Sequence, residues 1–347
     1  MPSLYSAHSP PLAALYGTID GQTRAGAPVF AGTAGSVVER TNKQGFRFFA
    51  RRYYDGDGKQ REVYVAGPVG SAEADATAER LREWVAEVKA MTADLRLLGR
   101  EGFQFADSRS YATLASLHLH GLFQAGAVLV GSHAFGVLLN QLGIRAAAYA
   151  TEDIDIARYE ALALPSVTER SFLDMLRESG IPFVEVPQLD VRQPSTSFKQ
   201  RGRSRFHVDL LVPSRDDSFP VVAVPELQAH ATGLPYLAYL LGATQLVTLL
   251  SREGACPVRV PLPQRFALHK LLVSQLRGGA KGEKDRFQAA VLLAAIGESQ
   301  SGAIAAAFGD LPRSARQAVR QALRLVKSRL VGDHPRAWEE CAELLGG

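Results

Sequence analysis

Cysteine, tryptophan and methionine are scarce in this chain: two, two and three among 347 residues. Cys256 and Cys341 form no pair motif and no metal-ligand spacing. That argues against a structural zinc and a disulfide framework, and for a reduced compartment. Long apolar runs are missing too. The most apolar window, PYLAYLLGATQLVTLL at 235–250, is interrupted by Gly, Thr and Gln. It falls short of the roughly 18 apolar residues of a membrane span, so it reads as core. The opening MPSLYSAHSPPLAALYG has no basic stretch leading into an apolar one, so no secretory signal is expected. Neither sign of charge dominates. Lys and Arg number 39 against 35 Asp and Glu, a net +4. An anionic partner is compatible with that balance and not required by it. What is left is a cytoplasmic, non-membrane chain, 46% hydrophobic and 21% charged, with room for two or three domains.

Residues 1–30, rich in Pro, Ala and Gly, read as irregular. Three β-prone runs follow: SVVER, FRFFARRYY and REVYVAG. The turn sequences NKQG and DGDGK separate them, which predicts a small antiparallel sheet over about 35–67. Its aromatics alternate with Arg47, Arg51, Arg52 and Arg61. They either grip nucleic acid or pack on the next helix. That helix opens at the N-cap candidate Ser71, with Leu81, Trp84, Val85 and Val88 as one face, and ends near 99–102. A second helix is expected over 109–124. The segment 126–160 reads strand, Gly-Ser turn, helix from His133 to Leu142, strand. A helix near 166–179 and strands near 182–187, 204–213, 220–224, 244–250 and 257–260 come next. From Pro263 onward the pattern is helical.

The stretch TEDIDIAR at 151–158 poses an electrostatic problem. Strand alternation puts Asp153 and Asp155 on one face, with Cα atoms roughly 7 Å apart, and Ile154 and Ile156 on the other. Two unpaired carboxylates that close resist joint ionisation unless a cation joins them. Mg²⁺ or Mn²⁺ would suit hard carboxylate oxygens and leave positions for phosphate oxygens. The plain alternative is a half-exposed strand with its acids in water. Two further features bear on the choice. In LVGSHAF, a strand runs into Gly131 and Ser132 and then a helix, an arrangement that can bind an anion at free N–H groups. It is equally an ordinary turn and cap. In FHVDLLV, Asp209 shares its face with Leu211, so the acid is partly enclosed and needs a partner. A third carboxylate there would complete a two-metal clamp.

Taken in order, these segments resemble the DNA polymerase β-type nucleotidyltransferase superfamily. They are closest in pattern to its small bacterial nucleotidyltransferase-fold members, the GSU2403-like family. The carrying motifs are GSHAFGVLLNQLG, TEDIDIA and PQRFALHKLLVSQLRGGAKGEKD, and the likeness runs over about 35–296. It implies an α+β or α/β nucleotidyltransferase fold with a mixed sheet. Residues 1–70 would be a three-stranded β module, 71–125 a helical connector, 126–260 the catalytic domain and 261–347 a C-terminal helical domain. By motif, Gly131 and Ser132 would hold nucleotide phosphates. Asp153, Asp155 and Asp209 would carry the metals and the catalysis. Lys270, Arg277, Lys284 and Asp285 match a basic cluster that recurs here and in related toxin-type transferases. Lys270 and Arg277, seven apart, would share a helical face. The implied activity moves an NMP from an NTP to an acceptor: an RNA end, a protein hydroxyl or a small molecule. Lys199, Arg201, Arg203 and Arg205 alternate just upstream of Asp209, as a phosphate-facing rim or a solvated hairpin. A different class of reading keeps this fold without catalysis, as a nucleic-acid-binding or partner-binding protein.

Overall fold

Alternation around the aspartates produces a strand, Asp153–Ala157, with Ile154 and Ile156 fully buried. The computed structural model describes residues 3–147, 151–164 and 170–346. In it this strand lies inside a seven-stranded mixed sheet. On one side runs Val128–Val130, antiparallel, with Val130 opposite Asp155. On the other runs His207–Pro213, parallel, with His207 opposite Asp153 and Asp209 opposite Asp155. Val208 and Leu210 are buried beside the two isoleucines. Each such side chain contributes about 1.5–3 kcal/mol on leaving water, so the apolar face fixes the strands and turns the acids the other way. The protein is thus of the mixed α/β class read from the sequence.

The far edge of His207–Pro213 is shared. Ser197–Gln200 pairs antiparallel with its first half and Ala229–Leu234 parallel with its second. Ala229–Leu234 reads AHATGL and has no β-prone pattern. It is a strand because its two neighbours, His207–Pro213 and Val221–Val224, supply ladders on both sides.

Ser36–Thr41, Arg47–Tyr54 and Gln60–Ala66 form an antiparallel sheet. Its Phe49 is buried against Ala74 and Ala78 of the helix Ala72–Arg100, which Ser71 caps through Ala74 N–H. Trp84, expected on the buried face of that helix, is 46% exposed. The helix buries Val85, Val88, Met91, Leu95 and Leu98 instead, the narrower stripe of a 3.6-residue period. Two of the sheet arginines are held by contacts within the protein. Arg51 lies between the Phe30 and Tyr53 rings and donates to Thr33 and Ala34 carbonyls. Arg61 Nε donates to buried Asp55 at 2.6 Å. Phe46, Tyr54 and Tyr64 remain exposed.

Residues 10–24, read as irregular, are a helix, Pro10–Arg24. Pro10 and Pro11 occupy its first turn, where a missing N–H costs nothing. Leu12, Tyr16 and Ile19 then pack on Leu95, Leu98, Phe103 and Leu250. The expected helix near 166–179 falls partly outside the described residues. Within them it is Phe172–Arg177, with a Ser171/Asp174 capping box.

The C-terminal part is helical: Pro263–Leu276, Gly279–Ser299, Ala303–Gly309, Arg313–Leu330 and Pro335–Glu343. The first helix stops at Leu276, so Arg277 has extended φ and ψ instead of lying on the helical face with Lys270. Gly278 and Gly279, with low helix propensity, account for the break. Among the described residues no helix is long and apolar enough to cross a membrane.

Candidate functional site

The parallel register gathers four ionisable side chains on one sheet face: Asp153, Asp155, His207 and Asp209. They line a cleft of about 580 Å³, within the range of small-ligand sites. The opposite wall is the C-terminal helical part. It brings Lys270, Arg277, Lys281, Lys284 and Asp285 to the same space, and Gly131 and Ser132 form one end.

Gly131 begins the helix Gly131–Gln141 directly after the strand Val128–Val130. Its φ is +69°, and a Cβ there would collide with Asp155 Oδ2. The glycine is therefore required twice, for its backbone and for the carboxylate packed against it. Gly131→Ala is expected to lower stability by at least about 1–2 kcal/mol, the cost of the left-handed backbone alone. An unchanged denaturant midpoint would show that the glycine is dispensable.

Asp155 lies deepest. Burial first, then the Asp209 carboxylate opposite, push its pKa up to about 6, with Lys270 acting the other way. Asp209 accepts a hydrogen bond from Ser197 Oγ on the adjacent strand. His207 stands between the outer acids: Nδ1 is 3.2 Å from Asp153 Oδ1, and Nε2 is 3.5 Å from Asp209 Oδ2. The hydrogen bond to Asp209 outweighs burial and raises the imidazole pKa to about 9. His207 is thus a cation at neutral pH.

Among the described residues no three His, Cys, Asp or Glu side chains are grouped so as to hold a metal ion. In this arrangement His207 stands between Asp153 and Asp209. The donor chemistry nonetheless fits a divalent cation. Three carboxylates share a face, and one of them, Asp155, is held against its own ionisation by burial and then by its neighbour Asp209. Such a cation would replace the positive charge that His207 supplies.

On the opposite wall, Lys270 Nζ donates to Asp285 Oδ1 at 2.7 Å, and both groups are buried. Arg277 Nη1 approaches Asp285 Oδ2 at 3.5 Å. The two cations thus converge through Asp285 although no helix face joins them. Asp285 is an anchor for cations; a carboxylate would repel phosphate directly. Lys284 Nζ donates to Ser132 Oγ at 2.9 Å and ties the wall to the Gly-Ser turn. Burial, then Lys270, lower its pKa.

The cleft contains every acid singled out from the sequence, together with Lys270, Arg277 and Lys284. It does not contain Lys199, Arg201, Arg203 or Arg205. The chain turns at Gly202, φ +104°, between Ser197–Gln200 and His207–Pro213, so strand alternation does not run through all four. Arg201 instead lines a separate groove with Lys59, Arg61 and Arg177. Sequence reading missed three participants. His207 was visible as residue i−2 of Asp209 on the same strand face. Lys281 was visible three residues before Lys284 in KGEKD. Ser197 is brought to Asp209 by strand pairing across twelve residues, which leaves no local signal.

Residues 109–311, more than half of the chain, match the model of a family described as nucleotidyltransferase. No curated protein and no solved structure matches the chain.

Proposed function

The chain belongs to the nucleotidyltransferase family, and on that premise we propose that it transfers an NMP from an NTP to an acceptor hydroxyl in this cleft. The supporting observation is the paired register that sets Asp155 beside Asp209, with Asp153 on the same face and Gly131-Ser132 at its end. In this reading Gly131 and Ser132 receive phosphate oxygens at the start of their helix. Lys270, Arg277, Lys281 and Lys284 offset the charge of the β- and γ-phosphates. Asp153, Asp155 and Asp209 would hold Mg²⁺ or Mn²⁺, which would neutralise charge on the attacking and leaving oxygens when bound. Asp209, beside Ser197 and His207, takes the proton from the acceptor hydroxyl. The acceptor oxygen forms a bond to the α-phosphorus as the bond to pyrophosphate breaks, and pyrophosphate leaves along the cationic wall. The narrower kinship with the GSU2403-like proteins belongs to the same reading.

The test is incubation with each α-labelled NTP, Mg²⁺ and total RNA or lysate. Label is expected in one macromolecular or small-molecule fraction, and it should vanish with a chelator. Label from the γ-position in place of the α-position would point to a phosphotransferase and sink the proposal. At limiting Mg²⁺, transfer should rise as pH increases through about 6, because a proton on Asp155 competes with the cation. A flat profile between pH 5 and 8, taken with rapid chemistry, would count against Asp155 as a ligand.

A second reading has one observation of its own. A groove of about 710 Å³ between the N-terminal sheet and the main sheet is lined by Lys59, Arg61, Arg177 and Arg201 with Tyr53, and also by Glu62 and Glu178. Cations beside an aromatic suit a nucleic-acid strand. Salt-dependent RNA or DNA binding, indifferent to metal and to Asp153→Asn, together with no label transfer, would favour a non-catalytic binder.

A further inference from the structure

A second cavity, of about 330 Å³, adjoins the cleft: Ser132 and Thr151 line both. Its other walls are Gln104, Phe105, Asp107, His133, Val137 and Leu249, among others. We propose that this cavity receives the nucleoside end of the substrate NTP while the phosphates occupy the cleft; the inference rests on the nucleotidyltransferase reading.

Three observations select the nucleoside over other parts of the reaction. First, charge: the described lining residues include one carboxylate, Asp107, and no lysine or arginine. A polyphosphate there would be desolvated beside a like charge without compensation. All of Lys270, Arg277, Lys281 and Lys284 belong to the cleft instead. Second, distance from the base: the acceptor hydroxyl must reach Asp209, and neither Asp209 nor its neighbours His207 and Ser197 line this cavity. Third, chemistry: Phe105, Val137 and Leu249 give apolar wall for a planar ring, and Gln104, His133 and Asp107 give polar groups for its edge and for ribose hydroxyls.

The pocket is held in shape independently of any ligand. Gln104 is clamped by its main chain: its N–H donates to Asn140 Oδ1 at 2.7 Å, and Asn140 Nδ2 donates to its carbonyl at 2.8 Å. Its side chain lies over Gly136, where even a Cβ would stand 3.4 Å from Gln104 Cβ. His133 keeps a buried Nε2 without a hydrogen-bond partner in this fold. His133 is also one of the residues lining this cavity, beside Ser132. Burial lowers the imidazole pKa to about 4, so the ring adds no charge to the pocket wall at neutral pH.

The experiment measures binding of the four NTPs, one at a time, and of inorganic tripolyphosphate, each with Mg²⁺, to the wild type and to Gln104→Ala, His133→Leu and Lys281→Ala. Circular dichroism checks that each variant is folded. Gln104→Ala leaves the main-chain clamp to Asn140 in place, so it remains informative should His133→Leu not fold. The wild type is expected to prefer one base. Gln104→Ala and His133→Leu should each weaken the preferred NTP about tenfold, the worth of one neutral hydrogen bond. They should narrow the preference among bases and leave tripolyphosphate binding unchanged. Lys281→Ala should weaken NTP and tripolyphosphate alike. Unaltered base preference and affinity in folded Gln104→Ala and His133→Leu would overturn the pocket while leaving the transferase reading intact. So would a wild type that binds all four NTPs and tripolyphosphate equally. A wild type that binds neither NTP nor tripolyphosphate would remove both.

Discussion

Asp155→Asn is expected to abolish NMP transfer, by at least about a thousandfold, without destabilising the protein. The loss follows from removing the innermost of three carboxylates in the cleft, in the manner of a group whose electrostatic work is done in the transition state. The stability side follows from the cost of burying the charge. Asp155 is held near pKa 6 by burial and by Asp209. An ionised carboxylate in that position costs the fold on the order of 2–3 kcal/mol at neutral pH, and a neutral amide of the same shape avoids it. The denaturant midpoint of Asp155→Asn should equal or exceed that of the wild type, measured with the metal removed. Asp153→Asn should act differently: Asp153 is more exposed and ion-paired to His207, so its replacement should lower transfer and leave stability within about 0.5 kcal/mol. Wild-type transfer by the Asp153→Asn, Asp155→Asn double variant would end the catalytic interpretation. A marked loss of stability in Asp155→Asn would mean that the acid is structural.

Lys270→Met should be the most destabilising single change in the cleft, by about 3 kcal/mol or more. Lys270 and Asp285 are 8% and 2% exposed and bonded at 2.7 Å. Removing one partner leaves a buried carboxylate with Arg277 at 3.5 Å as partial compensation. The pair can be tested as a pair. Lys270→Met with Asp285→Leu replaces both ions by apolar groups of similar size, and stability should return to near the wild-type value. Transfer should stay about a hundredfold down in the double variant, because the charge facing Asp155 and the phosphates is still missing. Restored transfer would reduce the buried lysine to a structural ion.

The sequence by itself determined a good deal. Local alternation was enough to place Asp153, Asp155 and Asp209 on polar faces and Ile154, Ile156, Val208 and Leu210 in the core, because strand geometry forces that choice. Gly131 before a helix, Ser71 as a cap and the helical run after Pro263 were legible for the same reason: each depends on neighbours a few residues away. Some local signals misled. The Pro- and Gly-rich opening hid the helix Pro10–Arg24, which is held by packing on Leu95, Leu98 and Leu250. Extrapolating a helix through Arg277 ignored the glycines after it.

The tertiary structure alone decided which distant groups meet. The register between Asp153–Ala157 and His207–Pro213 sets Asp209 against Asp155 instead of one residue off, and a one-residue slip would have turned Asp209 into the core. The same register places His207 between two acids, within 3.2 Å of Asp153 Oδ1 and 3.5 Å of Asp209 Oδ2. Lys284 reaches Ser132 across 152 residues. Periodicity cannot encode such meetings, because they depend on which ladders and helix faces pair after collapse. The two aspartates one residue apart were an electrostatic question in the sequence. The fold answers it with four ionisable groups on one face and a wall of cations opposite.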